Sequence, residues 1–495
     1  MALLFMDGFD KYGPNSISGV AALLTAGEWT SAGGSGHNLV SGLSSSGYAL
    51  QLGGGVNVSV SKTLPASYAR LIGGFRVSTV LNGTGVTLLD SGTAQCSIAF
   101  NAAGTISVIR GAISTGTVLA TSTATISANT THYVEFDIAF SNTANYQVWL
   151  DGVSIISGSG DTTGTANNSA NGIQLFTSSN SITFDDLYVF DTSGSANNAA
   201  LLTSPRIETQ MPSSDAAVQF AFGAALLGAS LARTTATVST AANQLRLRSV
   251  VPAVNCTLTA VSFLAATASA TVNLRPVVYS SVGGAPGALL GSGSTVAGTT
   301  ASTLKTLPLT SGVALSAGTQ YFIGYMCDIL VNSGLAQYTT VSDDFTAIAT
   351  FASGAPGTAP VMANTPSTVI AGNVTASGAN WFAVAQNPVQ GGLSYVADAT
   401  IGHEDLYGYP LLSATPLAIY AVAVKASVAK SDAGAKTLSL RLKSGGTDSA
   451  GSAGAMAPGT SYGWLTSLYP TDPATGTAWT AAALNAAQAG VRVES

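Results

Sequence analysis

The acidic residues are few, and their clusters define what chemistry this chain could attempt. Glu135 and Asp137 stand two apart in the strand-like run HYVEFDIAF. Two carboxylates flanking a glycosidic bond are the minimum for hydrolysis, often supplied from one strand in an E-x-D-x-x-E pattern. Here Ile138, Ala139 and Phe140 follow instead of a third acid, so both residues are expected on a solvated strand face. Asp185 and Asp186 are the second pair. Paired acids near a strand end can hold calcium, but calcium takes six to eight oxygens and two acids supply too few. A turn or edge role is therefore expected for them, and for Asp343-Asp344, with calcium as the lesser alternative and no other metal or cofactor. His403-Glu404-Asp405 is the densest polar cluster. Adjacent residues of a strand point to opposite faces, so the three cannot converge without a bend, and a loop role is expected. No G-x-S-x-G elbow, phosphate loop or Cys/His pairing is present. The expectation is no catalytic residue and no enzyme. Among the five tryptophans, Trp149, between Val148 and Leu150, is the candidate glycan contact, because sugar sites commonly place an aromatic face at the surface.

The elements that would hold these residues are short and apolar. Only 8% of the 495 residues are charged, against about 25% in ordinary globular proteins. Yet 46% are hydrophobic, and mean hydropathy is +0.37. The most apolar stretch, Val218 to Ala232, contains two glycines and falls short of the ~20 residues that span a bilayer. It is expected to be a buried strand with a small-residue connection. Seventeen Lys and Arg residues spread along a chain of net charge -6 exclude a phosphate-tracking surface. A surface with so little charge associates readily with other copies. Cys96, Cys256 and Cys327 are far apart and odd in number, which fits neither a disulfide framework nor a zinc set. Buried core positions are expected, with a Cys256–Cys327 pairing left open. The start, MALLFMDGFDKYG, lacks a basic segment and a cleavage site, so no signal peptide is expected.

Period-two alternation runs through residues 1–192, as in HYVEFDIAF, where Val134, Phe136, Ile138 and Phe140 form the apolar face. Asp151-Gly152 and Asn101-Ala-Ala-Gly104 are hairpin signals. The fold class expected is all-β: tandem β-sandwich or jelly-roll domains, with one short helix near the C-terminus. Further along, NQLRLRSVVP, CTLTAVSFLA, ATVNLRPVVYSS and the long STLKTL…YFIGYMC stretch read as a separate sandwich over 240–378. The final third reads as a strand meander: two strands turning at Ser431-Asp-Ala-Gly434, with Gly434 left-handed, then a helix from Thr480 to Gln488 stopped by Gly490.

The order LLFMDGFD, YALQL, GGFRV, F-N-x-x-G-T-I, Y-x-V-W-L-D-G-V and FDDLYVFD resembles the concanavalin A-like, or laminin-G-like, jelly roll. It is similar in particular to the N-terminal domain of a group of tailed-phage virion proteins. GHEDLYGY, KSDAGAKT, LKSGGTD and YPTDPATGTAWTAAALNAAQAGV resemble the C-terminal module of that group, and TSPRIETQMPSSDAAVQFAFG resembles the strand leading into it. The resemblance implies 1–192 as the jelly roll, 193–239 as linker and first strand of the C-terminal module, 240–378 as an inserted carbohydrate-binding-like sandwich, and 379–495 as the rest of that module. It also implies a structural virion protein of a tailed phage (fibre, tail or neck appendage, or capsid decoration), assembled in the host cytoplasm. The implied partners are other copies of itself, other virion proteins and host-surface glycan, without nucleic acid or membrane insertion. The alternative is a glycan-binding adhesin or lectin with no virion role. A glycoside hydrolase is third, for lack of carboxylates.

Overall fold

A computed structural model describes residues 3–13, 20–44, 47–79, 82–193, 199–228, 237–239, 242–265, 269–300, 303–329, 332–334, 344–364, 370–376, 379–385 and 394–495. The architecture is antiparallel β throughout, in tandem sandwiches, as the alternation requires. The chain forms two compact units: Met1–Gln210 with Leu411–Ala487, and Met211–Pro410 with Gln488–Ser495. Residues 411–487 thus belong to the same body as the N-terminal sandwich.

The first unit is built on two facing sheets. One runs in the order Val153–Gly160, Ala144–Leu150, Thr131–Ala139, Arg70–Thr79, Ile182–Phe190, Tyr48–Leu52, His37–Ser41, with Leu3–Asp7 also paired to Ile182–Phe190. The other runs Thr117–Thr125, Thr105–Arg110, Thr93–Phe100, Thr84–Asp90, Ala170–Thr177, Val58–Tyr68, Ser31–Gly33. Their inner faces bury Phe75, Phe100, Val134, Phe136, Ile138, Val148, Leu175 and Phe184, the apolar half of each alternating strand. Asp151 (φ 49°) and Gly152 (φ 81°) both adopt the left-handed region between paired strands, the geometry that matches a hairpin's twist. The Asn101–Gly104 turn closes with Asn101 N–H donating to the Thr105 carbonyl at 2.9 Å. A helix at Val20–Ala26 also packs in this unit.

The outer face of the first sheet is covered over part of its area. Leu3, Ile72, Tyr133, Tyr188 and Phe190 are buried there against Met6, Ala200, Leu201, Ala421 and Leu468. The covering layer includes the antiparallel pair Val422–Val428 and Gly463–Tyr469. This corrects the expected meander. Val422–Val428 pairs with Gly463–Tyr469, whereas Leu438–Ser444 pairs with Thr447–Ser449 and Ala455–Met456. Gly434 is not left-handed. The local turn signal failed because Val422–Val428 found a non-local partner along its whole length, while Leu438–Ser444 pairs with the short strands that follow it. The helix near the end is also shorter than expected, Ala481–Asn485. Its cap is as expected, Thr480 accepting from Ala483 N–H. Gln488–Val493, including Gly490, is strand, paired with Glu404–Gly408.

The second unit is a sandwich with Leu258, Phe263, Val278, Ile323 and Tyr325 in its core. Phe263 and Tyr325 stack at 4.3 Å between centroids. Its strands include those expected at Gln244–Val250, Cys256–Ala265, Ser269–Val282, Thr303–Leu315 and Tyr321–Cys327. Its sheets also recruit residues outside 240–378: Ala221–Gly228 pairs with Ile370–Thr375 and with Tyr395–Ala397. The first of these strands comes from the apolar run at Val218; the part of that run from residue 229 lies outside the described residues. No helix among the described residues is long and apolar enough to cross a membrane.

Candidate functional site

Among the described residues, Glu135, Asp185, Asp186 and Asp405 are each bound to partners inside the fold. Glu135, expected on a wet strand face, is 1% exposed. Its carboxylate accepts from the Tyr188 hydroxyl and from the Leu201 and Leu202 N–H groups, the latter two at 2.8 and 3.0 Å. The expectation failed because the polar half of that strand lies under a second layer. Of this pair Asp137 is the nearer to solvent, and Arg70 grips it through Nε (2.6 Å) and a second nitrogen. Gly74 lies opposite Glu135 in the register. A Cβ there would come within 2.5 Å of the Tyr188 ring, so the glycine makes room for the Tyr188–Glu135 contact.

Asp185 and Asp186 are likewise corrected from a turn or edge to the middle of a buried central strand, 3% and 1% exposed. They occupy an irregularity in its register, and Asp186 has φ 49°. Asp186 pairs with Arg76 Nε at 2.9 Å and accepts from Ile207 N–H at 2.7 Å. Asp185 accepts from Leu43 N–H and Asp186 N–H, both at 2.8 Å. Burial, with the neighbouring Asp186 charge adding to it, raises Asp185 to about 7. Asp10, which accepts from Tyr48 N–H at 2.7 Å, is raised to about 6, again chiefly by burial. Asp186, with Glu135 and Arg76 (whose guanidinium reaches the Ser204 carbonyl at 3.3 Å), fastens residues 201–207 across the sheet. Among the described residues no group of three His, Cys, Asp or Glu side chains could hold a metal ion.

A second polar cluster was missed from the sequence. It grows from DGFDKY, a segment assigned no chemistry above. Asp7 accepts four bonds: Phe9 N–H (3.0 Å), Lys11 Nζ (3.0 Å), the Tyr12 hydroxyl (2.9 Å) and Trp29 Nε1 (2.9 Å). Phe9 takes φ 61° to allow this. Glu28 accepts from Lys11 Nζ, Lys425 Nζ and the Thr466 hydroxyl, each at 2.5 Å or so tight that the three donors crowd one carboxylate. Lys425 also donates to the Met6 carbonyl, and Lys62 to the Glu28 carbonyl. Phe5, Phe9 and Trp29 pack together beside the cluster. Burial disfavours the charge on Glu28, but Lys11 and Lys425 outweigh it and hold the acid well below the usual carboxylate range. Burial also opposes the charge on Lys11, yet two carboxylates flank it and its pKa rises. Lys425 has one carboxylate and feels Lys11, so burial prevails and lowers it to about 8. The only sequence signal was scarcity: in a chain 8% charged, an acid and a lysine four apart amid aromatics are conspicuous.

In the second unit, Asp405 is fully buried and accepts from Gln219 N–H, Phe220 N–H, Asn380 Nδ2 and the Tyr407 hydroxyl, at 2.6–3.0 Å. His403 turns instead to Asp398 at 2.9 Å. Glu404 and Asp405 thus lie in the strand Glu404–Gly408, paired to Ser214–Ala217, rather than in the expected loop; His403 sits in the turn before it, and the three do not converge. Asp215 accepts from Asn380 and Trp381 N–H. Residues 214–220 and 380–407 are thus tied together directly, although about 160 residues separate them. Asp343 and the side chain of Asp344 lie outside the described residues. Cys96, Cys256 and Cys327 are all buried and outside any disulfide, so Cys256 and Cys327 do not pair; the Cys327 thiol donates to the Gln244 carbonyl instead. Trp149 is half-buried, on the same face as Glu135 and opposite Ser154.

No protein-family model matches the chain, and no curated protein matches it. Solved structures are similar to about a third of it. An endo-β-1,4-glucuronan lyase from the fungus Trichoderma reesei is 14% identical, with TM-score 0.27 over 33% of this chain and 91% of that one. The carbohydrate-binding module CBM66 from Bacillus subtilis is 10% identical, with TM-score 0.24 over 33% and 96%. The receptor-binding domain of a botulinum neurotoxin C/D mosaic is 12% identical, with TM-score 0.25 over 32% of this chain and 43% of that one. Similarity of this degree carries no argument about activity.

Proposed function

We propose that this chain is a non-catalytic adhesive scaffold. In this reading its sandwiches bind glycan and associate with other copies of the chain as a structural component of a tailed-phage virion. One observation supports the non-catalytic reading above others. Glu135, Asp185, Asp186, Asp7, Glu28 and Asp405 are all buried and hydrogen-bonded to internal partners. A general acid or base must reach the proton it moves, and these carboxylates reach only the protein. The virion assignment rests on the sequence resemblance set out above. The binding reading rests on chemistry: a surface poor in charge and rich in Ser, Thr and Asn offers neutral donors and acceptors suited to sugar hydroxyls. Trp149 is the aromatic to which the contact is assigned.

Glycan-array binding by the full chain, followed by Trp149→Ala, tests the adhesive part. Binding that weakens about tenfold or more in the variant supports it; no binding across the array refutes it. Release of reducing ends or unsaturated sugars from any bound polysaccharide would overturn the non-catalytic part. Particles purified from an infected host, probed with an antibody to the chain, test the virion part.

A further inference from the structure

In the first unit the two sheets end very differently on their two sides. On one side the edge strands are Ser31–Gly33 and His37–Ser41, three and five residues long. Short edges are a common protection against pairing with another chain. On the other side the edges are Thr117–Thr125 (TVLATSTAT) and Val153–Gly160 (VSIISGSG), nine and eight residues long. They lie beside one another, one from each sheet. Neither contains a lysine, any other charge or a proline, the residues that usually block edge pairing. Of the charges that flank these strands, Arg110 and Asp161 form an ion pair and Asp151 pairs with His132. The register shifts within both strands are the one protective device present. Val118 and Val153 project from these strands at 56% and 66% exposure.

We propose that this double edge is the surface through which two copies of the chain associate, strand against strand and antiparallel. This deepens the self-association in the function proposed above and rests on that reading. A second copy is the occupant the surface fits. An antiparallel pair of identical strands is self-complementary about a twofold axis, as a closed dimer interface must be. An uncharged edge meeting its own copy brings no like charges together. Pairing satisfies backbone groups that each edge otherwise leaves to water, and Thr, Val and Ile suit the paired state.

The test is the molecular mass of the full chain by light scattering and sedimentation, across micromolar concentrations. The wild type is expected to be a dimer. Thr121→Lys with Ser157→Lys places lysines on both edges, and each single substitution provides a milder version should the pair disturb folding. Each is expected to weaken dimerisation at least tenfold with an unchanged melting temperature, whereas Asn38→Lys on the short-edged side leaves the dimer intact. A dimer indifferent to the edge lysines overturns the assignment of this surface while leaving self-association standing. A monomeric wild type overturns both. A closed trimer or larger ring overturns the edge pairing, because antiparallel edges close after two copies.

Discussion

Glu28→Gln is the most direct test of how the first unit holds together. The substitution keeps the shape of the side chain and removes its charge. Glu28 is 6% exposed and answers two ammonium groups, Lys11 and Lys425. Lys11 retains Asp7, but Lys425 is left with the Met6 carbonyl. Removing one partner of a buried ion pair leaves an uncompensated charge and costs about 3–5 kcal/mol. At about 2.1 cal/mol/K of unfolding entropy per residue, the first unit, Met1–Gln210 with Leu411–Ala487, should melt roughly 5–8 °C lower. Calorimetry resolves that shift. Arg110→Gln breaks an ion pair whose members are both substantially exposed and should shift the transition far less, since surface pairs contribute little. Adding Lys425→Met to Glu28→Gln should recover part of the loss, because no unpaired ammonium then remains in the layer. Equal, small shifts for Glu28→Gln and Arg110→Gln would refute the reasoning, and so would a double variant that melts lower still.

Stability should depend on pH in a definite direction. Asp185 and Asp10 are raised to about 7 and about 6, so between about pH 4 and 7 the folded chain holds protons that the unfolded chain has released. The stability they contribute is complete below pH 4 and is lost as pH rises towards 7. Urea midpoints at pH 4.5, 6 and 7.5 should therefore fall, and Asp185→Asn should flatten the fall; rising midpoints would contradict the assignment. Glu28 acts oppositely: its pKa is lowered, so its contribution is present at neutral pH and is lost only under strong acid. Asp405→Asn should destabilise the second unit by at least about 2 kcal/mol, since it weakens four bonds to a buried carboxylate. An unchanged denaturation midpoint for that variant would remove Asp405 as the tie between residues 219–220 and 380.

The class of fold was legible because it rests on local patterns. Alternation along HYVEFDIAF and GGFRVSTV fixes which side chains face inward whatever the neighbours are, and Asp151-Gly152 between two alternating strands favours a left-handed hairpin turn. Thr480 caps its helix for the same local reason. What decided the fate of the polar half of each strand was not local. Whether Glu135 meets water or Leu201 depends on a layer contributed from residues 200–204 and 411–487, and no period in residues 131–139 encodes that. Register was equally non-local: Ser431 to Gly434 reads as a turn, yet Val422–Val428 finds its partner some forty residues later. The amino-acid sequence alone determined that this chain is antiparallel β, sparse in charge and without a spaced catalytic motif, since those follow from composition and period. Only the tertiary structure decided that Asp7, Lys11, Glu28 and Lys425 meet. Buried charges must find partners, and those partners came from segments about four hundred residues apart that share nothing until the sandwich has been covered.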